Sequence, residues 1–317
     1  MSLGAARTAQ LAGWWGRSPV MPTDMLYLAV GYGNNSYVAV GTGTAPTATT
    51  IGAISYDALN WTAITMPSAF WRAVTWGNDR WVAIGDGTSA AYSLDGITWT
   101  ASTLPTSLGW SSVAYGGGVF VAVGRTSGGF STTDYATSTD GITWTARTFN
   151  TGDWSDIVYG NSEFVAISSN GQSQVSATGT GSWSSGTLPS GATGWAAVAY
   201  GAGRYVAVTG STSITTEAAW STDGLTWTSS GGIFTSATTW SNIEFGAGLF
   251  VAIGTNSNEL MYSTNGATWT AGTMPKTAFW QGIAYGPGPY KGFVAVGYVF
   301  ASPAGVAAFS RNGIAWY

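Results

Sequence analysis

The chain predicts an all-β fold, a seven-bladed β-propeller of four-stranded antiparallel blades, on three observations. The string STDGITWT at Ser138–Thr145 returns almost unchanged at Ser93–Thr100, Ser221–Thr228 and Ser263–Thr270. A second phrase, of the form WSSVAYGGGVFVAVG in residues 110–124, precedes each copy. Both phrases come back roughly every 40 residues, the period at which a four-stranded blade repeats around a ring.

Two markers count the units independently. The valine after the second aromatic of the longer phrase recurs as Val38, Val82, Val121, Val165, Val206, Val251 and Val294. The tryptophan that closes the shorter phrase recurs as Trp61, Trp99, Trp144, Trp183, Trp227, Trp269 and Trp316. The organisation read from them is an N-terminal arm over 1–24 and one propeller over 25–317. Its units span about 25–66, 67–106, 107–150, 151–191, 192–236, 237–276 and 277–317.

Within a unit, WSSVAY-type residues form the first strand and a glycine-rich turn leads to a second. That second strand, FVAV at 120–123, has no polar face and is expected to be buried on both sides. A loop of variable length reaches a third strand ending at serine. Asp95-Gly96, Asp140-Gly141, Asp223-Gly224, Asn265-Gly266 and Asn312-Gly313 then predict two-residue type I′ turns, since Asp, Asn and Gly tolerate positive φ best. A fourth strand, ITWT, follows, with its tryptophan as an apolar anchor. The last unit reaches only Ala315-Trp316-Tyr317, where its fourth strand begins, and the arm is expected either to close the ring or to dock it onto an assembly.

Composition excludes several classes of chemistry. Charged residues are 8% of the chain, where soluble domains have roughly 25%. The net charge is -4 and the basic residues are scattered, so nucleic acid is not an expected partner. No apolar run is long enough to predict membrane insertion. With neither Cys nor His there is no disulfide, no thiolate or imidazole metal site and no Ser-His-Asp triad. No cofactor is expected: glycine-rich strings such as GNNSYVAVGTG lack a following helix, and the Gly85-Asp86-Gly87 string has no neighbouring acids to hold calcium. The N-terminus, with Arg7 and Arg17 around a mixed stretch, does not read as a secretory signal.

The phrase S-x-D-G-x-T-W resembles the Asp-box, S-x-D-x-G-x-x-W, of sialidase-like propellers, over residues 27–317. Gly follows Asp directly here. The first unit, Ser55-YDALN-Trp61, reads as the longer spacing with Leu59 in place of Gly, and the fourth, SATGTGSW, has no Asp. The resemblance implies a structural turn and hence a fold, not catalysis. The wording around W-x-x-VAYG and FVAVG also resembles repeat modules of bacteriophage tail and other virion proteins.

Of the eighteen tryptophans, the repeat accounts for all but Trp14 and Trp15. Trp71, Trp110, Trp154, Trp195, Trp240 and Trp280 stand where the chain enters the first strand. If exposed they form a ring of stacking platforms for sugars; otherwise they are core. Loops after the second strand are long in odd units (Gly41 to Ser55, Gly124 to Ser138, Thr209 to Ser221, Gly297 to Ser310). They are short in even ones (Gly85 to Ser93, Ser168 to Ser176, Gly254 to Ser263), which marks their face as the partner face. A sialidase would need an arginine cluster, but Arg80 and Arg204 fall in hairpin turns and only Arg72 begins an inner strand. Asp156 and Glu244 are the carboxylates expected near the axis, lining a wet channel.

The reading that follows is a non-enzymatic virion protein, a phage tail or tail-fibre component for assembly or host attachment. Its partners would be other virion proteins or a host cell-surface glycan, and its place the virion. A propeller lectin is the alternative and a sialidase-like hydrolase the third.

Overall fold

A computed structural model describes residues 19–22, 25–44, 47–126, 131–189, 193–210, 218–230, 239–288, 291–299 and 304–317. Among them every regular element is a β-strand, and the fold is a β-propeller with four-stranded antiparallel blades. The second strands behave as their sequence requires: Val38, Ala39 and Val40, or Phe120 through Val123, are fully buried. Each is sandwiched between neighbouring repeats, so a polar residue on either face would lie unsolvated.

The sequence predicts seven separate sheets, whereas the strands join into five continuous ones, of four, seven, four, four and six strands. The difference lies in two long strands, Thr100–Gly116 and Thr270–Tyr285. In the first, Leu108 pairs with Gly87 and the next residue, Gly109, already pairs with Arg125. In the second, Ala278 pairs with Ser257 and Phe279 with Tyr298. The backbone passes from the outer edge of one repeat to the inner edge of the next with no unpaired residue between. Elsewhere a residue such as Phe70 or Asp153 interrupts the pairing.

The turns exchange roles relative to the sequence expectation. Paired positive φ values fall in the first hairpins, at Asn34-Asn35 (45° and 58°), Asn78-Asp79 (47° and 54°) and Asn161-Ser162 (49° and 63°). Gly117-Gly118, Ala202-Gly203 and Ala247-Gly248 follow the same pattern. These are the two-residue primed turns, whose twist matches that of the strands they join. The Asp-Gly and Asn-Gly strings instead sit in longer loops. Only their glycines, Gly96, Gly141, Gly224, Gly266 and Gly313, have positive φ. Asp140 Oδ1 accepts the N–H groups of Ile142 and Thr143 at 2.9 and 2.8 Å, and Ser138 Oγ accepts that of Gly141 at 2.8 Å. Side-chain oxygens thus stand in for the missing ladder, and the outer strand starts only after the tryptophan, at Thr100, Thr145, Thr228 and Thr270.

The same loop survives in the two repeats that seemed to depart from it. In the first, Asp57 Oδ1 accepts from Leu59 and Asn60, and Ala58 takes the glycine position at φ 66°. Its spacing is the common one, and Ala58, not Leu59, replaces Gly. In the fourth, Thr178 Oγ1 accepts from Thr180 and Gly181 in place of Asp.

Neighbouring repeats lock through glycine and an aromatic ring. A Cβ on Gly33 would lie 2.1 Å from Trp76, and one on Gly77, Gly116, Gly160, Gly201 or Gly246 would lie 2.0 to 2.1 Å from Tyr115, Tyr159, Tyr200, Phe245 or Tyr285. Gly286 stands in the same relation to Tyr32. The chain of contacts therefore returns to its start.

Residues 19–22 join the ring as well. Val20 bridges Asn60 in the first repeat's outer loop, as Thr103 bridges Thr143 and Thr187 bridges Thr226. Val20-Met21-Pro22 thus stands where Thr-Leu-Pro of a preceding outer strand stands in those pairs. Met21 is buried in one cluster with Ala307 and Phe309 of the last repeat. Tyr27 Oη donates to Pro22 O, just as Trp71 Nε1 donates to Pro67 O. Residues 1–18, with Arg7, Arg17, Trp14 and Trp15, lie outside the described residues, as do 45–46, 127–130, 211–217 and 300–303 of the long odd loops.

Candidate functional site: the axial cavity

Every first strand carries a β-bulge at the same place. Pairing slips between Tyr27 and Ala29, Trp71 and Ala73, Trp110 and Ser112, Trp154 and Asp156, Trp195 and Ala197, Trp240 and Asn242, and Trp280 and Gly282. A bulge inserts one unpaired residue and re-aims its side chain. Here those residues are Leu28, Arg72, Ser111, Ser155, Ala196, Ser241 and Gln281, and all seven line one cavity of about 890 Å³. Asp86, Arg125, Thr126, Ser169 and Gly210, from the ends of second strands and the loops after them, line it as well, as do residues next to the bulges such as Ser112, Asp156 and Asn242. The cavity therefore opens on the face that carries the loops of variable length.

Of the two readings open to the bulge tryptophans, the structure shows the core one. Trp71, Trp110, Trp154, Trp195, Trp240 and Trp280 are all fully buried, so they are packing anchors and not exposed stacking platforms. Trp71, Trp110 and Trp280 also donate from Nε1 to the carbonyls of Pro67, Gly87 and Lys276. Anchoring the large ring on one side of the bulge holds the extra residue on the other, toward the axis.

Both guanidiniums that line the cavity face a carboxylate. Arg72 donates from Nε to Asp86 Oδ1 at 2.9 Å and from Nη2 to Asp86 Oδ2 at 2.7 Å, a bidentate geometry. The bond to Asp86 raises the guanidinium's affinity for its proton, against partial burial. Asp86 belongs to the Gly85-Asp86-Gly87 string, and its carboxylate serves arginine. On the next repeat Arg125 lies 3.6 Å from Asp153, which also accepts from Ser169 Oγ at 2.5 Å. The sequence did not single out Arg125 or Gln281, and it weighed Asp86 only as part of a string unsuited to calcium. The signal for the rim was the residue directly after the recurring aromatic, which varies while its neighbours repeat.

Polar groups also tie the rim together. Ser111 Oγ donates toward Trp154 O at 2.7 Å and Ser241 Oγ toward Trp280 O at 2.6 Å, each reaching the next repeat. Asn242 Nδ2 donates to Gln281 O at 3.1 Å. Asp156 accepts the N–H of Ile157 and, across the boundary, that of Val198, both at 2.8 Å, and bonds Ser112. Burial nevertheless outweighs these bonds and pushes its carboxyl up to about 6. Glu244, two residues beyond Asn242 on the same strand, is pushed up to about 8, by burial first and the Asp156 charge second. Asp156 thus lines the cavity, as expected, while Glu244 is not among the residues that line it. Arg80 and Arg204 stay at the far-face hairpins, where Arg204 lies over the Trp220 ring at 4.1 Å.

Among the described residues no group of three or more acidic side chains is placed to hold a metal ion. No described helix is long and apolar enough to cross a membrane. No protein-family model and no curated protein matches the chain. Solved structures do. A catalytically inactive virginiamycin B lyase from Staphylococcus aureus, solved with quinupristin, is 13% identical with a TM-score of 0.72, over 90% of this chain and 95% of that one. YCF48 from Cyanidioschyzon merolae is 15% identical with a TM-score of 0.66, over 94% and 99%. The Pan2 WD40 domain of Neurospora crassa is 7% identical with a TM-score of 0.63, over 90% and 88%. At these identities the likeness is one of fold, the propeller.

Proposed function

We propose that the protein is a non-enzymatic binding module, a seven-bladed propeller in which Thr100–Gly116 and Thr270–Tyr285 each serve two blades. Its setting is a virion, as an attachment or assembly component of phage-tail type, and its partner is a host-surface glycan or another virion protein. One observation carries the binding reading. At the bulge, where the fold is otherwise repeated, the residue changes from Leu28 to Arg72, Ser111, Ala196 and Gln281, and these unlike side chains converge on a single cavity. A rigid scaffold that varies at one convergent ring is the arrangement expected of a recognition surface. The count of seven is supported by the bulges and by the closed series of glycine–aromatic contacts. Against a hydrolase, Asp86 is engaged by Arg72 and Asp156 by backbone N–H groups of two repeats. One related fold, YCF48, has been solved bound to a peptide, so propellers of this kind can hold a chain-like partner.

The test is binding of the labelled protein to bacterial cells and to purified surface polysaccharides. Selective binding that one polysaccharide competes away supports attachment. Folded protein that binds no cell and instead assembles with particle proteins supports the assembly role. Turnover of a glycoside would refute the non-enzymatic reading.

A further inference from the structure

Two features narrow what the cavity can accept, and they rest on reading the ring as a binding module. The first is charge. Each cavity guanidinium already faces a carboxylate, Arg72 with Asp86 and Arg125 with Asp153. An anionic ligand would have to displace one of those partners, and a cationic one would have to draw Asp86 from Arg72 or Asp156 from the N–H groups of Ile157 and Val198. The second is asymmetry. The long polar side chains stand on the second, third and seventh repeats, as Arg72, Asp86, Arg125 and Gln281, shorter ones on the fourth and sixth, as Ser155, Asp156 and Asn242, while the first and fifth contribute apolar residues and glycine, Leu28, Ala29, Ala196 and Ala197 among them. A pseudo-symmetric ring with such an uneven rim offers one seat and one orientation.

We infer that the axial cavity is a single seat for an uncharged, hydroxyl-rich ligand, a segment of neutral saccharide, held chiefly by the Arg72–Asp86 pair and by Gln281. The pair's side chains keep 42% and 35% of their surface, so they are reachable. The bidentate bond uses Nε and Nη2 of Arg72, so Nη1 takes no part in it. Beside Nη1 stand carboxylate oxygens with further lone pairs. A donor and acceptors side by side match vicinal hydroxyls, each of which gives and takes one hydrogen bond. Gln281 donates from Nε2 to Thr255 at 3.1 Å, which orients its amide and leaves Oε1 as an acceptor. The cavity falls within the roughly 300–1,000 Å³ of small-ligand sites. It is one undivided space, whereas an extended peptide needs separate pockets for alternate side chains.

The experiment titrates the full chain calorimetrically with short neutral oligosaccharides of glucose, galactose, mannose, rhamnose and N-acetylglucosamine. Uronate-containing and sialylated oligosaccharides and uncharged tetrapeptides are run beside them. The expected result is saturable binding of a neutral oligosaccharide at one per chain. Arg72→Ala weakens it roughly tenfold or more, as loss of a charge-assisted partner does. Arg147→Ala, whose guanidinium bonds Thr137 and Thr180 away from the cavity, leaves it unchanged. Should Arg72→Ala fail to fold, Ala196→Trp, which narrows the cavity with an indole ring, weakens the same binding. Absence of binding by every neutral oligosaccharide, tighter binding of an acidic one, binding of peptides alone, or several equivalent sites per chain would each overturn the inference. Cell attachment by the Ala196→Trp protein at wild-type strength would also sink the seat and leave the attachment reading standing. Saccharide binding without any cell or particle binding would do the reverse.

Discussion

Tyr32 of the first repeat fills the space into which Gly286 of the last would project a side chain: a Cβ there would lie 2.6 Å from Tyr32 Cδ2 and Cε2, and 2.4 Å from Tyr37 Oη. Tyr37 Oη also donates to Gly292 O at 2.7 Å and accepts from Gly292 N at 3.1 Å. Lys291 Nζ donates to Tyr32 Oη and to Asn35 O at 2.8 and 2.6 Å. The two ends of the repeat array thus meet through the same glycine–aromatic contact that joins interior neighbours, with further polar bonds added.

Gly286→Ala tests that closure. Overpacking so tight a contact costs about 1–3 kcal/mol, read as a lower urea midpoint. Gly118→Ala is the control: its Cβ would meet nothing within 4 Å, so only its φ of +82° opposes the change. That strain is worth roughly 1–2 kcal/mol. If Gly286→Ala were harmless, the first and last repeats would not be packed as described.

Met21 provides a second test, at the other side of the same junction. It occupies the position that Met66, Leu104, Leu188 and Met274 hold at the other boundaries, each buried before a proline. Met21→Ala is expected to cost about 2–5 kcal/mol, comparable to Met274→Ala, since both remove a buried side chain from an inter-repeat core. A loss of only a few tenths in urea denaturation would mean that Val20-Met21-Pro22 does not complete the ring.

These residues also mark what the sequence did and did not disclose. The strands of each repeat were legible because burial on both faces leaves FVAV-type runs no alternative. The Met-Pro signal was present in Val20-Met21-Pro22, but a match of two residues is visible only once Thr103 and Thr187 show where that position packs. The turn types were exchanged because Asp-Gly suits both a primed hairpin turn and a loop in which the Asp side chain accepts backbone N–H groups. What separates them is the serine two residues before the aspartate, whose Oγ accepts from the glycine, as in Ser93 and Gly96. The repeat located the tryptophans and left open whether they were core or exposed platforms; the structure buries them. Which side of a bulge faces the axis is a property of pairing register, which composition does not carry.

The outer loops predict an acid-sensitive contribution to stability. Hydrogen bonds hold the carboxyls of Asp95, Asp140 and Asp223 below the usual range. For Asp95 the Thr98 N–H is the largest cause; for Asp140 and Asp223 partial burial opposes, and the donors outweigh it. A depressed folded-state pKa means that the stabilisation is present above the unfolded value and lost as pH falls through the folded one. Melting temperature should therefore drop below about pH 4, the ordinary aspartate value. Asn265 and Asn312 accept the same N–H groups without a charge. The triple variant with asparagine at 95, 140 and 223 should then melt with a shallower acid dependence. An acid limb unchanged from wild type would place the sensitivity elsewhere.

Glu244 and Asp156 act with the opposite sign. Burial and, for Glu244, the Asp156 charge raise their folded-state values to about 8 and about 6, from 4.5 and 3.8. Between each pair of values the folded chain holds a proton that the unfolded chain releases, so stability falls as pH rises through the window and levels above it. Most of the Asp156 contribution is gone by about pH 6, which leaves the interval from there to about pH 8 chiefly to Glu244. Glu244→Gln keeps the shape and removes the proton linkage at that position. The wild-type melting temperature is expected to decline between about pH 6 and 8, and that of Glu244→Gln to stay nearly level. Parallel slopes for the two proteins across that interval would show that Glu244 releases its proton in the ordinary carboxylate range.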